Sequence, residues 1–149
     1  MPSIRIHHLQ AQDTALAREL FTLMAQVFEE ARAPLSDAYL NTLLQRQDFW
    51  VLAAFADELL AGGLTAHVLP MSRSQTRELF LYDIAVRADL QRHGIGVRLM
   101  AALREQGAQA GIATVFVAAD EEDTHALDFY RALGGQESVV RHYTFLGEE

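Results

Sequence analysis

The stretch from Leu79 to Leu103, LFLYDIAVRADLQRHGIGVRLMAAL, constrains this chain more than any other. It opens as an apolar run of aromatic, aliphatic and β-branched residues, Leu79 to Val86, the composition of a buried strand. A charged turn, Arg87-Ala88-Asp89-Leu90, breaks the run, and the chain then passes through Gln91-Arg92-His93-Gly94-Ile95-Gly96. From Val97 the spacing predicts a helix with Val97, Met100, Ala101 and Leu103 on or near one face. A strand feeding a glycine-bearing turn and then a helix start gathers unpaired backbone N–H groups at the positive end of a helix dipole. A phosphate needs that environment. Gly94 and Gly96 carry no Cβ, so a diphosphate can approach the main chain closely. Two common phosphate patterns are absent: no Gly-Lys-Ser/Thr follows, and no third glycine completes the dinucleotide fingerprint.

The rest of the chain supplies alternating elements around this core. Ile4 to Leu9 reads as a first strand. Asp13 or Thr14 can cap a helix with Leu16, Leu20, Leu23, Met24, Val27 and Phe28 on its apolar stripe, its tail Glu29-Glu30-Ala31-Arg32 running into Pro34, which stops it. Ser36 or Asp37 caps a second, shorter helix bearing Tyr39, Leu40, Leu43 and Leu44. Phe49 to Ala56 and Leu60 to Leu69 read as strands around an Asp57-Glu58 turn, and Pro70 to Thr76 as a loop. Beyond the central helix come a strand at Ala113 to Ala119, a helix through Ala126, Leu127, Phe129, Tyr130 and Leu133 closed by Gly134-Gly135, and a final strand from Val139 to Leu146. The order β-α-α-β-β-β-α-β-α-β predicts an α/β fold, a mixed, mostly antiparallel sheet flanked by helices on both faces. The 149 residues suit one domain, residues 1–149.

Composition narrows the function. There is no cysteine, which excludes thiol nucleophiles and cysteine-rich metal sites and fits a cytoplasmic location. The six histidines show no metal-ligand spacing, so no metal is expected. The N-terminus lacks the pattern of a signal peptide, and no apolar run approaches membrane-spanning length. A net charge of −8 disfavours nucleic acid or an anionic membrane and suits a cationic small molecule. A homodimer is compatible with the sequence.

The order Gln91-Arg92-x-Gly94-x-Gly96 after an Ile84-Ala85-Val86 strand resembles the acetyl-CoA signature of the GCN5-related N-acetyltransferases, as does the order of elements. The stretch Ala126 to Gly134 resembles the A-x-x-x-Y-x-x-x-G helix of that family. Shorter pieces, Ala53-Ala54-Phe55, Val68-Leu69-Pro70, Leu81 to Val86 and the acidic link Asp120 to Asp123, resemble the class I aminoglycoside 3-N-acetyltransferases. The resemblance implies that acetyl-CoA lies against Ile84, Ala85, Val86, Gln91, Arg92, His93, Gly94, Ile95, Gly96 and Val97. It implies an oxyanion-binding backbone N–H near Ile84 and Ala85, where the strand typically bulges, and Tyr130 as the acid that protonates the leaving thiolate. The family often carries asparagine seven residues before that tyrosine; here the residue is Asp123.

Acetyl transfer to an amine needs a base, because the amine is mostly protonated at neutral pH. Asp83 sits in an otherwise apolar strand, where a charge needs a partner. The resemblance makes Asp83 the group that orients and deprotonates the amine; a salt-bridged or solvated strand residue is the alternative. Asp120, Glu121, Glu122 and Asp123 stand at the carboxyl end of a strand, where ligands gather in open α/β sheets, although acidic residues also simply suit a helix start. Asp120, Glu121 and Asp123 are the candidates there for binding a polycation. Glu29 and Glu30 are unfavourable for their own helix dipole, which hints at a nearby cation for Glu29, though a solvated helix end also accounts for them. Tyr130 could equally be packing beside Phe129. The expected activity is acetylation of a primary amine on a polycationic small molecule, the 3-amino group of an aminoglycoside by subfamily resemblance. Polyamine or protein amine acceptors, or a non-catalytic acyl-CoA-binding module, are the competing readings.

Overall fold

A computed structural model describes residues 2–31 and 33–148. The chain divides into two compact units, residues 1–118 and 119–149.

In the first unit the elements are β1 (Ile4–His8), α1 (Thr14–Val27), α2 (Asp37–Gln45), β2 (Phe49–Ala56), β3 (Leu59–Pro70), β4 (Arg77–Val86), a 3₁₀ turn (Ala88–Leu90), α3 (Ile95–Gln109) and β5 (Thr114–Val117). The strands form one sheet in the order β1-β2-β3-β4-β5. Every pairing is antiparallel except β4 with β5, which is parallel. The expected mixed sheet with helices on both faces is therefore present.

Two apolar layers hold the sheet. Ala17, Leu20, Phe21 and Met24 of α1 and Leu40 of α2 pack with Val51, Ala53, Leu60 and Ala85. On the other face Gly107 of α3 lies so close to Leu79 that a Cβ there would sit 2.8 Å from Leu79 Cδ1. The buried side of α3 is Ile95, Leu99, Met100, Leu103 and Gly107. The helix begins at Ile95 rather than Val97, and Val97 and Ala101, expected near its apolar face, are exposed. At 100° per residue, the stripe that starts from Ile95 leaves both of them outside.

The first helix also ends differently. It stops at Val27, well before Pro34. Glu29 takes φ 57°, Glu30 N–H donates to Ala25 O at 2.9 Å, and Glu29 N–H donates to Gln26 O at 3.1 Å. This is a Schellman closure with glutamate at the left-handed position usually taken by glycine. Arg32, in the expected tail, lies outside the described residues. Asp13 precedes α1 without capping it; its Oδ2 accepts instead from Gln10 N–H at 2.7 Å and pairs with His7 Nε2 at 2.9 Å. The Gln10 N–H is the main reason its carboxyl titrates below the usual range. Ser36 caps α2, accepting from Tyr39 N–H at 3.1 Å.

The second unit contains α4 (Thr124–Ala132). The strand expected at Val139 to Leu146 is not regular structure: among the described residues, 136–148 carry no helix or strand. A strand exists only through its ladder, so an apolar alternation by itself does not make one.

Candidate functional site

The fourth strand is built to change partners partway along. Its register with β3 runs Pro70↔Arg77 to Ala66↔Leu81, then resumes at Thr65↔Asp83, so Tyr82 is an extra, bulged residue. Its pairing with β5 ends at the same place, with Leu81↔Val117. From Tyr82 to Val86 the strand keeps β3 on one side and has no strand on the other among the described residues. Alternate backbone groups on that side are therefore left outside the ladder.

The bulge also flips the faces. Before it, Leu79 and Leu81 are fully buried on the α3 side. After it, Ala85 is buried with α1 on the opposite side. One inserted residue turns the odd-numbered positions over. Asp83, opposite Thr65, thus stands on the face of α1 and not with Leu79 and Leu81. It is half-buried. The family resemblance implies a bulge near Ile84 and Ala85; the extra residue is Tyr82, and Ile84, Ala85 and Val86 pair regularly with Leu64, Gly63 and Gly62. On the side away from β3, Ile84 to Val86 have no strand partner among the described residues.

Gly62 makes this stretch tight. A Cβ there would lie 2.2 Å from Ala85 O and 2.9 Å from Val86 Cα, so only glycine lets β3 approach.

Past Val86 the chain is held by short bonds. Arg87 N–H donates to Ala61 O at 2.8 Å, and the Gln91 side-chain amide donates to Val86 O at 3.1 Å. Arg87 pairs with Asp89 at 3.2 Å. Gln91 therefore staples the turn to the strand, a role its position in the motif did not reveal. Arg92 (φ 67°) and Gly94 (φ 78°) are both left-handed, which reverses the chain into α3. Gly94 is the N-cap and offers no side-chain acceptor, and the first helical bond is Arg98 N–H to Gly94 O at 3.0 Å. The N–H groups of Ile95, Gly96 and Val97 thus have no acceptor within the helix. Gln91, Arg92, His93 and Gly94 are exposed, Ile95 is buried in the core, and nothing lies within 4 Å of a Cβ built at Gly94. Three uncapped donors next to an exposed glycine fit a diphosphate.

The remaining candidates fall in two places. Glu29 is exposed at the strained end of α1. Beside it, a cleft of about 290 Å³ is lined by Arg18, Phe21, Ala25, Glu30, Pro34 and Leu35, among others. A larger cleft of about 380 Å³ lies between the end of β1 and the α2–β2 loop, near His8 and Trp50. Neither is lined by Asp83 or by the 91–97 turn.

In the second unit, Asp120, Glu121 and Asp123 are exposed. Asp120 O accepts from Asp123 N–H at 3.0 Å, and Asp123 Oδ1 accepts from Ala126 N–H at 3.1 Å, so Asp123 caps α4. Tyr130, in the last turn of α4, is half-buried with its ring edge-on to Phe129 at 5.2 Å. Its carbonyl accepts from Gly135 N–H at 3.0 Å. Among the described residues no group of three or more His, Cys, Asp or Glu could hold a metal ion, and no helix is long and apolar enough to cross a membrane.

A mixed sheet whose fourth strand bulges, loses its pairing with β5 and leads into an uncapped helix start has the architecture of an acyltransferase that takes its acyl group from a coenzyme A thioester. The chain belongs to the Acetyltransferase (GNAT) family, whose profile it matches over residues 14–134. Among solved structures it is similar to the aminoglycoside acetyltransferase meta-AAC0020 from an uncultured soil metagenomic sample. The trehalose complex of that protein is 35% identical with a TM-score of 0.89, over 97% of each chain. Its sisomicin complex is 33% identical with a TM-score of 0.90, again over 97% of each chain. The aminoglycoside acetyltransferase HMB0005, also from an uncultured soil metagenomic sample, is 31% identical with a TM-score of 0.89, over 97% of this chain and 99% of its own. No curated protein matches the chain in a sequence search.

Proposed function

We propose that this GNAT acetyltransferase moves the acetyl group of acetyl-CoA to a primary amine of an aminoglycoside, the 3-amino group of the 2-deoxystreptamine ring. The observation that carries the reading is the run from bulge to helix: Asp83 directly after Tyr82, an unladdered strand edge to Val86, and three uncapped N–H groups at Ile95, Gly96 and Val97. It is supported by the similarity, at 31–35% identity, to proteins named as aminoglycoside acetyltransferases. The regiochemistry rests on the subfamily resemblance.

In this reading the diphosphate of the coenzyme lies on the α3 start, with Arg92 and Gly94 turning the backbone toward it, and the pantetheine runs along Ile84 to Val86. Asp83 accepts a proton from the substrate ammonium, directly or through water, leaving a neutral nitrogen that attacks the thioester carbonyl. A backbone N–H of the 84–85 segment stabilises the oxyanion. The carbon–sulfur bond then breaks, Tyr130 donates its phenolic proton to the thiolate, and the surplus proton of the acylated nitrogen passes through water to the phenolate, leaving a neutral amide and free coenzyme A thiol. Asp120, Glu121, Asp123 and Glu29 attract the remaining ammonium groups; Asp123 does so with acceptor capacity beyond its cap bond, since a carboxylate offers about four lone-pair sites.

The test is to incubate the protein with acetyl-CoA and gentamicin and to locate the acetyl group by NMR. Asp83→Asn preserves shape and removes basicity, so kcat/KM should fall by at least about 10²-fold while acetyl-CoA affinity stays near wild type. No turnover on a panel of aminoglycosides, with turnover on spermidine or a peptide, would refute the acceptor and leave the acetyltransferase intact.

A further inference from the structure

The face that carries Asp83 does not end at Asp83. One register row crosses the sheet as Phe49 on β2, His67 on β3, Phe80 on β4 and Phe116 on β5. Every neighbouring pair in this row is in ring contact: Phe49–His67 at 5.1 Å, His67–Phe80 at 6.5 Å, and Phe80–Phe116 stacked at 4.9 Å and 3°. The bulged Tyr82 leans onto the same row, 5.6 Å from His67 and 5.7 Å from Phe80, edge-on to both. The inward end, Phe49, is anchored against the core below α1 and α2. The outward end is open, with Tyr82 60% and Phe116 40% exposed.

A contiguous, half-open aromatic surface on an acidic protein is unusual for a face that only meets water. The same bulge that sends Asp83 to this face pushes out Tyr82. Asp83 is opposite Thr65, and His67, two residues on from Thr65 along β3, is its diagonal neighbour at about 7–8 Å. A six-membered ring whose amine meets Asp83 would have its neighbouring ring over Tyr82 and His67. A sugar ring has one face lined by C–H groups, which packs on aromatic faces, and its ammonium substituents are attracted to those faces as well.

We propose that Phe80, Tyr82, His67 and Phe116 form a stacking platform for the sugar ring next to the reacting ring, and that this platform selects cyclic amino sugars over linear polyamines. The inference rests on the acceptor reading above and specifies how that acceptor is held. Tyr82 and Phe116 are positioning residues in it: they touch the non-reacting part of the substrate and no transferred atom.

The test uses the full chain with gentamicin as the cyclic probe and spermidine as the linear one. Tyr82→Leu and Phe116→Leu should each raise KM for gentamicin about three- to tenfold with kcat within about twofold, and leave KM for spermidine and acetyl-CoA unchanged. Tyr82→Phe, which keeps the ring, should restore the gentamicin KM. Saturation-transfer NMR with irradiation of the aromatic protons should reach the sugar protons of gentamicin in the wild type and weaken at least twofold in Tyr82→Leu. Unchanged gentamicin KM together with unchanged transfer overturns the platform, and so does an equal KM rise for spermidine. A wild-type dimer that Tyr82→Leu converts to a monomer, with gentamicin contact unaltered, also overturns it, since a second copy then covers this face. Tyr82-dependent transfer without acetylation of gentamicin upholds the platform and refutes the activity; acetylation without such transfer does the reverse.

Discussion

Replacing Gly62 with alanine tests whether the backbone of β4 at Ala85 and Val86 must sit where it does. The added Cβ would be 2.2 Å from Ala85 O, 2.9 Å from Val86 Cα and 3.2 Å from Ala85 C, all backbone atoms that no rotamer change can move. Restoring ordinary contact at the oxygen, 3.4 Å, requires a displacement of about 1.2 Å between β3 and β4. Overpacking of that kind costs about 1–3 kcal/mol, against a gain of about 0.4–1 kcal/mol from restricting the unfolded chain. The net loss should be about 1–2 kcal/mol, a fall in Tm of roughly 3–6 °C for a chain of this size. Activity should suffer more than stability, because a shift near 1 Å at a reacting centre can reduce rate by about 10²-fold. Gly107→Ala is the control. Its Cβ meets the Leu79 Cδ1 methyl at 2.8 Å, a side-chain end that can swing aside, and Ile112 O at 3.3 Å. Removing a helix-interior glycine returns about 1 kcal/mol. That variant should be near wild type in stability and within about twofold in kcat/KM. Urea denaturation and acetyl-CoA-dependent thiol release read both quantities. Wild-type kcat/KM in a Gly62→Ala protein, or an equal loss in both variants, would refute the claim that the 85–86 backbone is the sensitive element.

Gly94→Val places a β-branched residue at φ 78° in open space, so calorimetry should show acetyl-CoA binding lost from a protein that remains folded; unchanged affinity would sink the assignment of the turn. Tyr130→Phe should lower kcat about 10²-fold with acetyl-CoA binding close to wild type, and an unchanged kcat would make the phenol packing only. His8 is held below the ordinary histidine value first by burial, then by the neighbouring His7, against a side-chain hydrogen bond to Gln106 that favours the protonated ring. The unfolded chain therefore takes up this proton first, so the His8 contribution is intact above the ordinary value and is lost as pH falls from there toward the folded pKa. Urea midpoints at pH 7 and pH 5 should show a smaller drop in His8→Gln than in wild type, and an equal drop would assign the acid sensitivity elsewhere.

The strand–turn–helix unit was legible because its signals are local. An apolar run, a charged break and two glycines specify strand, turn and helix start without reference to any other part of the chain. The same holds for the cap of α2, which the sequence offers to Ser36 or Asp37 and which Ser36 supplies. Where a signal depends on competition between neighbours, residue identity alone does not decide the outcome. Pro34 is a strong helix breaker, but the Schellman bonds at Glu29 and Glu30 end α1 first. Asp13 has the chemistry of a cap, yet its carboxylate is taken by Gln10 and His7.

The amino-acid sequence by itself determined the class of fold, the glycine turn and the types of side chain available for amine chemistry, since each follows from residue identity and spacing. Only the tertiary structure decided which face those side chains occupy. Strict alternation from Leu79 through Leu81 puts Asp83 among buried leucines. The extra residue at Tyr82 appears only in the register against β3, where Ala66 meets Leu81 and Thr65 meets Asp83. A side-chain period of two makes a single inserted residue enough to move a carboxylate from one face of the sheet to the other. The same insertion exposes Tyr82 beside His67 and Phe80, residues that no motif in the chain would bring together.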